Sequence, residues 1–275
     1  MSNRAMRDGR MMWRVTGVMT ILVYIFMFAP IIATIILSFN DSMFGGFPMT
    51  GFSLRWYEKL MTNEPVLSAF RTSLWIALAT AAISTSVGVM MAYALVRFDF
   101  RGKQSLSTLV LMPALVPETI LGVGLLVLLQ ALHQPRTTLL LLAGHILITL
   151  PYVVLVVQAR LVGISRSYEE AGLSLGATRF AAFRELVLPL LLPAILASLL
   201  LAFTISFDNT SASLFWRPAG VETLPTQILA MLKFSISPEV NALGTLMVLV
   251  TVGIPLIGGI LVAGLSRARG QAKNN

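Results

Sequence analysis

The sequence predicts an all-α integral membrane protein with six transmembrane helices, and three observations carry that prediction. Hydrophobic residues fill 56% of the 275 positions and charged residues only 12%, about half the charged share of an ordinary soluble domain. Six stretches are apolar for the about 20 residues that a helix needs to cross a hydrocarbon core. The Lys and Arg residues gather at the ends of those stretches, in loops that alternate between rich and poor in positive charge.

The first stretch, Thr16–Phe39, follows Arg4, Arg7, Arg10 and Arg14. A signal peptide has an apolar region of about 7–15 residues and a small-residue cleavage site. This run is longer and ends in SFND, so it reads as a retained span. The others are Thr72–Val96, Leu106–Leu132, Thr138–Gln158, Leu190–Leu214 and Asn241–Leu265. Lipid offers the backbone no hydrogen bonds, which leaves helix as the form for each. Residues 16–265 therefore make one membrane domain. Residues 1–15 and 266–275 flank it, and Met1–Arg10 and Ala268–Asn275 are expected to be loose.

Orientation follows from the loops. One side collects Arg4, Arg7, Arg10, Arg14, Arg97, Arg101, Lys103, Arg160, Arg166, Arg179, Arg184, Arg267, Arg269 and Lys273. The other collects Arg55, Lys59, Arg71, Arg136, Arg217 and Lys233. Positive residues favour the cytoplasm, so both termini are expected there. This distribution also accounts for the net charge of +8 without nucleic acid. Two loops on the opposite side are substantial. Asn40–Arg71, with GFSLRWYEKL, and Phe215–Val240, with ETLPTQILAMLKFSISPE, carry apolar-periodic pieces that fit short helices.

Several chemistries are excluded. The chain has no cysteine, hence no disulfide framework, thiol nucleophile or Cys-based metal site. His133 and His145 are its two histidines, and their separation is not a metal-ligand spacing. No G-x-x-x-x-G-K-[ST] is present; Gly102-Lys103 is followed by Gln104, with no glycine at position 97, so the chain has no phosphate-binding loop of that type.

The fourth loop is more elaborate than a connection requires. In SYEEAGLSLGATRFAAFRELVLP, Ser167 and Glu170 have capping-box spacing, and Gly176 suits a left-handed helix end. Tyr168, Ala171, Gly172 and Leu175 share one helical face, small enough in its middle for another surface to approach closely; Glu169 lies off it. A second helix starts at Thr178, with Phe180, Phe183 and Val187 on its apolar face. Pro189 suits the first turn of the next span. The result is a helix–turn–helix elbow over residues 160–189. Gly172-Leu-Ser174-Leu-Gly176 also matches G-x-S-x-G, but that motif needs a preceding strand and His and acid partners, and here a helix precedes it.

This segment resembles the EAA loop of ABC-importer permeases, E-A-A, three residues, Gly, nine residues, a branched aliphatic, any residue, Leu-Pro. The chain has Glu170-Ala171-Gly172, Gly176, Leu186, Val187 and Leu188-Pro189, complete in spacing, with Gly172 for Ala and Leu186 for Ile. The resemblance implies a type I importer permease of MetI-like fold. It also implies docking of Tyr168, Glu170, Ala171, Gly172, Leu175, Gly176, Leu188 and Pro189 on a cytoplasmic ATPase. The implied partners are a second, homologous permease, two ABC ATPase subunits and a periplasmic substrate-binding protein. ATP and magnesium would be held by the ATPase, and no cofactor by this chain.

Two acids fall within predicted spans. Glu118 follows Pro113 and Pro117, and Asp208 lies in AFTISFDNTSASLF. A charge at that depth is costly and marks a cavity or a partner. Thr204, Asp208 and Ser211 would share a face of a continuous helix. Two carboxylates suit a cationic passenger, and Trp56 could contribute a cation–π contact or anchor the loop at the interface. GFSLRWYEKL, PETILGVGLLVLL, AFTISFDN, TLPTQI and SPEVNAL together resemble the spermidine/putrescine permease subfamily, with Asp208-Asn209 where its members usually have two Asp. The substrate pathway is therefore expected at Asp208, Glu118, Trp56 and Asn209. A different small solute, a stand-alone carrier or an intramembrane hydrolase using Ser174 are the alternatives.

Overall fold

A computed structural model describes residues 3–43, 46–234 and 238–272. Twelve α-helices and one π-helical turn are present among them and no strand; a lone antiparallel bridge joins Asn40 and Phe52. The chain divides into two compact units, Met1–Asn63 with Met231–Leu246, and Glu64–Ala230 with Met247–Asn275.

The first unit holds α1 (Asn3–Leu37) and α2 (Arg55–Thr62). α1 keeps its helix through Pro30, and no residue of its most apolar window is buried. Asn40 organises the loop between the two helices. Its side-chain oxygen accepts from the backbone N–H of Ser42 and Thr50 (3.2 and 3.1 Å), and its amide donates to the Gly46 carbonyl (3.1 Å). Phe39 stacks on Phe52 at 4.8 Å. Glu239, buried, accepts from Lys59 (2.7 Å) and Asn63 (2.9 Å). The expected short helix in GFSLRWYEKL is thus α2, tied down by buried polar contacts.

The second unit contains α3 (Glu64–Arg97), α4 (Lys103–Leu115), α5 (Glu118–Ala131), α6 (Thr138–Val162), α7 (Ser167–Ser174), α8 (Arg179–Ala182), α9 (Leu188–Phe207) and α10 (Thr210–Trp216). Two further helices, α11 (Leu224–Phe234) and α12 (Pro238–Ala272), have residues in both units. α3 packs along α6 and α9, and α6 packs against α9. Small residues permit this: Ala69, Ser73, Ala77, Ala81, Ser84, Gly88 and Ala92 of α3 are all buried. In lipid such residues let helices approach closely enough for dispersion to bind them. A core of Ile76, Leu141, Leu142, Ile148, Ala212 and Trp216 sits where α3, α6 and α10 meet.

Five helices are long and apolar enough to cross a membrane, and a sixth crossing is complete if α4 and α5 count as one bent span. The expectation of six continuous spans needs correction at two places. Between α4 and α5 the axis turns by 108°. Pro117 disfavours helical geometry at its predecessor, and Val116 is extended at φ −95°, ψ 131°. The fifth span, expected over Leu190–Leu214, ends at Phe207 and restarts at Thr210. At its start it is longer than expected, because α8 runs into α9 through a π-helical turn at Phe183–Val187. The chain ends differ too: helix begins at Asn3 and continues to Ala272, leaving Met1, Ser2 and residues 273–275 outside the described residues.

Trp216 is fully buried, and its indole N–H donates to the Gly122 carbonyl (2.9 Å). A Cβ on Gly144 would overlap the Trp216 ring, whereas one on Gly124 would meet nothing within 4 Å. Gly144→Ala is therefore expected to cost about 1–3 kcal/mol by overpacking. Gly124→Ala should stay within about 1 kcal/mol of the parent. Thermal unfolding of both variants in one detergent tests the difference; equal midpoints would contradict the packing.

Candidate functional site: paired helix breaks and a helical elbow

Both acids predicted to lie within spans occupy the helix breaks. Glu118 is the first residue of α5, where its charge meets the positive end of the helix dipole. Asp208 follows the last turn of α9, and Asn209 begins α10 as its N-cap, its side-chain oxygen accepting from the Ala212 N–H at 2.7 Å. The same amide donates through Nδ2 to Glu118 Oε2 at 2.9 Å. One buried asparagine thus ties the two breaks together.

These groups line a cavity of about 420 Å³ with Thr204, Ile205, Thr210 and Ser211. Asp208 is exposed to it; its backbone N–H donates to the Thr204 carbonyl (3.1 Å), and its carboxylate has neither a hydrogen-bond nor an ion-pair partner among the described residues. The expected continuous helical face of Thr204, Asp208 and Ser211 is not what gathers them. The helix is interrupted at residues 208–209, and the three line one cavity across that interruption.

A histidine clamps the fifth-span break from behind. His145 is 2% exposed; its Nδ1 lies 2.8 Å from Ser206 Oγ and its Nε2 3.3 Å from Ser213 Oγ. Ser213 donates its hydroxyl to the Asn209 carbonyl (2.8 Å). That leaves Ser213 an acceptor toward Nε2–H, so Nδ1 accepts from Ser206. Thr149 donates to the His145 carbonyl (2.9 Å) and meets Ser84 of α3 at 2.7 Å. The sequence offered no sign of this network, since its contacts between helices join residues 61 to 68 apart.

Trp56 lies in the other unit. It is 4% exposed, donates its N–H to the Asn40 carbonyl (2.7 Å), and carries the Arg55 guanidinium 4.6 Å from its ring centroid. Its aromatic face is engaged by the chain's own cation, which is the geometry of the second of the two readings of Trp56, an anchor for the loop.

The elbow forms, with corrections at Ser167 and Gly172. Ser167 is not an N-cap; it is the first residue of α7, Arg166 occupies the cap without a side-chain capping bond, and the expected capping box is absent. Gly176 does end the helix in the left-handed region at φ 88°, with Ala177 N–H on the Gly172 carbonyl at 3.0 Å. Thr178 caps the second arm through the Ala181 N–H (3.2 Å). Tyr168, Glu170, Ala171, Leu175 and Gly176 are exposed, and Leu175 is 90% so. Gly172 points the other way: it is buried, and a Cβ there would come within 2.9 Å of Leu186 Cδ1. The close approach that Gly172 permits is between the elbow's own two arms. Leu188 is half-buried and Pro189 exposed at the start of α9. Ser174 donates its hydroxyl to the Glu170 carbonyl (2.9 Å), an ordinary helical contact and not the arrangement of an activated nucleophile.

Residues 84–270, which include both breaks and the elbow, match the model of the family described as binding-protein-dependent transport system inner membrane component. The chain belongs to this family. It is 38% identical over 247 residues to the spermidine/putrescine transport system permease protein PotC of Escherichia coli (strain K12), covering 90% of this chain and 92% of that protein. It is 35% identical to the putrescine transport system permease protein PotI of the same strain, covering 94% and 92%. Among solved structures, a chain of a bacterial ABC transporter involved in alginate import matches with TM-score 0.72 at 16% identity, covering 95% of this chain and 99% of that one. The MetNI methionine ABC transporter matches with TM-score 0.58 at 18% identity, covering 74% and 98%. At those identities the structures show the fold, that of ABC-importer permeases. The chain is a multi-pass inner-membrane permease subunit.

Asn209 makes a testable claim on stability. Asn209→Ala removes a helix cap, about 1 kcal/mol, and a hydrogen bond to a charged group, about 1.5–3 kcal/mol. Chemical unfolding in lipid nanodiscs should place Asn209→Ala below the parent, and an Ala variant as stable as the parent would refute the bridge.

Proposed function

We propose that this permease carries a small organic cation of the polyamine class, such as putrescine or spermidine, and that Glu118 and Asp208 meet it. One observation carries the reading. Two carboxylates converge on one cavity at the breaks of two spans, and among the described residues no cation lines that cavity. Interrupted helices at membrane depth are tolerated where they line a cavity, and the freed polar groups there serve a passenger. The names of PotC and PotI support the same solute class. Asn209 belongs to this site as the amide that orients Glu118. Trp56 is assigned to holding the loop around Asn40.

The remaining machinery is proposed by the same route. The chain pairs with a second, homologous permease, and a periplasmic binding protein delivers the solute. Two ATPase subunits, which hold ATP and magnesium, dock on the exposed elbow face of Tyr168, Glu170, Ala171 and Leu175. Gly172, Gly176, Leu188 and Pro189 shape that face and its junction with α9. Both termini lie in the cytoplasm, the side of the more basic loops. Closure of the ATPases on ATP draws the elbows together and opens the spans outward, and hydrolysis resets them.

Asp208→Asn is expected to lower uptake of radiolabelled putrescine about tenfold or more with assembly intact, because an uncharged acceptor does not offset the desolvation of an ammonium group. Asp208→Glu should be milder. Wild-type uptake by Asp208→Asn in proteoliposomes holding every partner subunit would overturn the cationic reading. For the elbow, Glu170→Arg should abolish stimulation of ATP hydrolysis by the loaded binding protein while the permease remains inserted, and Ser174→Ala should leave uptake unchanged. Survival of stimulation in Glu170→Arg would remove the docking claim.

A further inference from the structure

Glu169 and Glu170 are neighbours in sequence with opposite fates. Glu170 is exposed. Glu169 turns inward, its side chain 15% exposed, and both of its oxygens are taken by the last turn of α3. Arg97 Nε donates to Oε1 at 2.6 Å, and the Tyr93 hydroxyl donates to Oε2 at 2.7 Å. Arg97, 8% exposed, also donates to the Ile164 carbonyl at 2.8 Å. Arg166 returns a bond to the Arg97 carbonyl. The Tyr93 ring packs edge-on against Phe183, in the elbow's second arm, at 4.7 Å. A single turn of α3 therefore grips both arms.

We propose that Glu169 is a positioning residue that makes the elbow and α3 move as one body, so that force on the elbow reaches the helix breaks through α3. This rests on the reading that the elbow docks on an ATPase. A push on α7 has two ways into the spans. One is along the chain, through Gly163 and the π-helical turn. The other is across the Glu169 carboxylate, which is short, charge-assisted and satisfied at both oxygens. α3 continues that second line: Ser84 meets Thr149, Thr149 bonds the His145 carbonyl, and His145 holds the serines on either side of Asp208. Tyr93 and Arg97, one helical turn apart on one face, are the α3 half of the device.

A merely structural contact would change how much transporter assembles. A positioning contact changes how much solute moves per ATP. The test reconstitutes the permease with its partner permease, ATPases and binding protein. Putrescine uptake and ATP hydrolysis are measured in the same vesicles and normalised to assembled complex. Glu169→Gln, which removes the charge at constant shape, is expected to lower solute moved per ATP by about 3- to 30-fold. Tyr93→Phe keeps the ring on Phe183 and deletes only the bond to Glu169, so it should lower the ratio less. The double variant should be no worse than Glu169→Gln, because Tyr93 acts through Glu169. An unchanged ratio in assembled Glu169→Gln, or a double variant whose losses multiply, overturns the proposal. If Glu169→Gln fails to assemble, Tyr93→Phe decides, and an unchanged ratio there overturns it. Failure of the docking reading looks different: Glu170→Arg would then leave stimulation of the ATPase intact.

Discussion

The side-chain amide of Asn209 is the contact on which the centre of this permease depends. A helix that stops at membrane depth frees backbone groups that lipid cannot satisfy. Asn209 answers that on one side by capping α10 and on the other by holding the carboxylate at the head of α5. Two interruptions that would each be a defect become one braced unit. Asp208, left out of the brace, is the carboxylate still able to change partners.

Much of this was legible in the sequence, and the reasons differ by element. The spans showed through their hydropathy, and the elbow through local turn chemistry: Gly176 and Thr178 act on backbone within three residues of themselves. The breaks were harder to read. Pro117 interrupts a span, yet Pro30, Pro113, Pro151, Pro193 and Pro255 all sit inside helices that continue. Proline alone therefore does not locate a break. The second break has no proline; its signal is Asp-Asn-Thr, cap chemistry in the middle of an apolar run.

The missed contacts share one cause. Which of two adjacent glutamates faces α3 depends on the phase of α7 and on Arg97, 72 residues earlier in the chain. The seat of Trp56 depends on a carbonyl in a loop with no hydrophobic period. The Gly172 contact was misassigned because a small face suits an internal neighbour as well as a foreign one, and sequence does not distinguish them.

The π-helical turn at Phe183–Val187 has a geometric consequence. An α-helix advances about 100° per residue, and a π turn accommodates one extra residue without interrupting the rod. The elbow's second arm and the fifth span are thus a single shaft with a built-in phase step. Removing one residue from the turn would straighten the hydrogen-bond ladder and rotate the whole elbow about the shaft by roughly 100°. The helix content would hardly change, but Glu169 would swing away from Arg97 and the exposed face would be aimed elsewhere. The wide turn works as an indexing key: it sets the direction in which an otherwise ordinary helical shaft presents its handle.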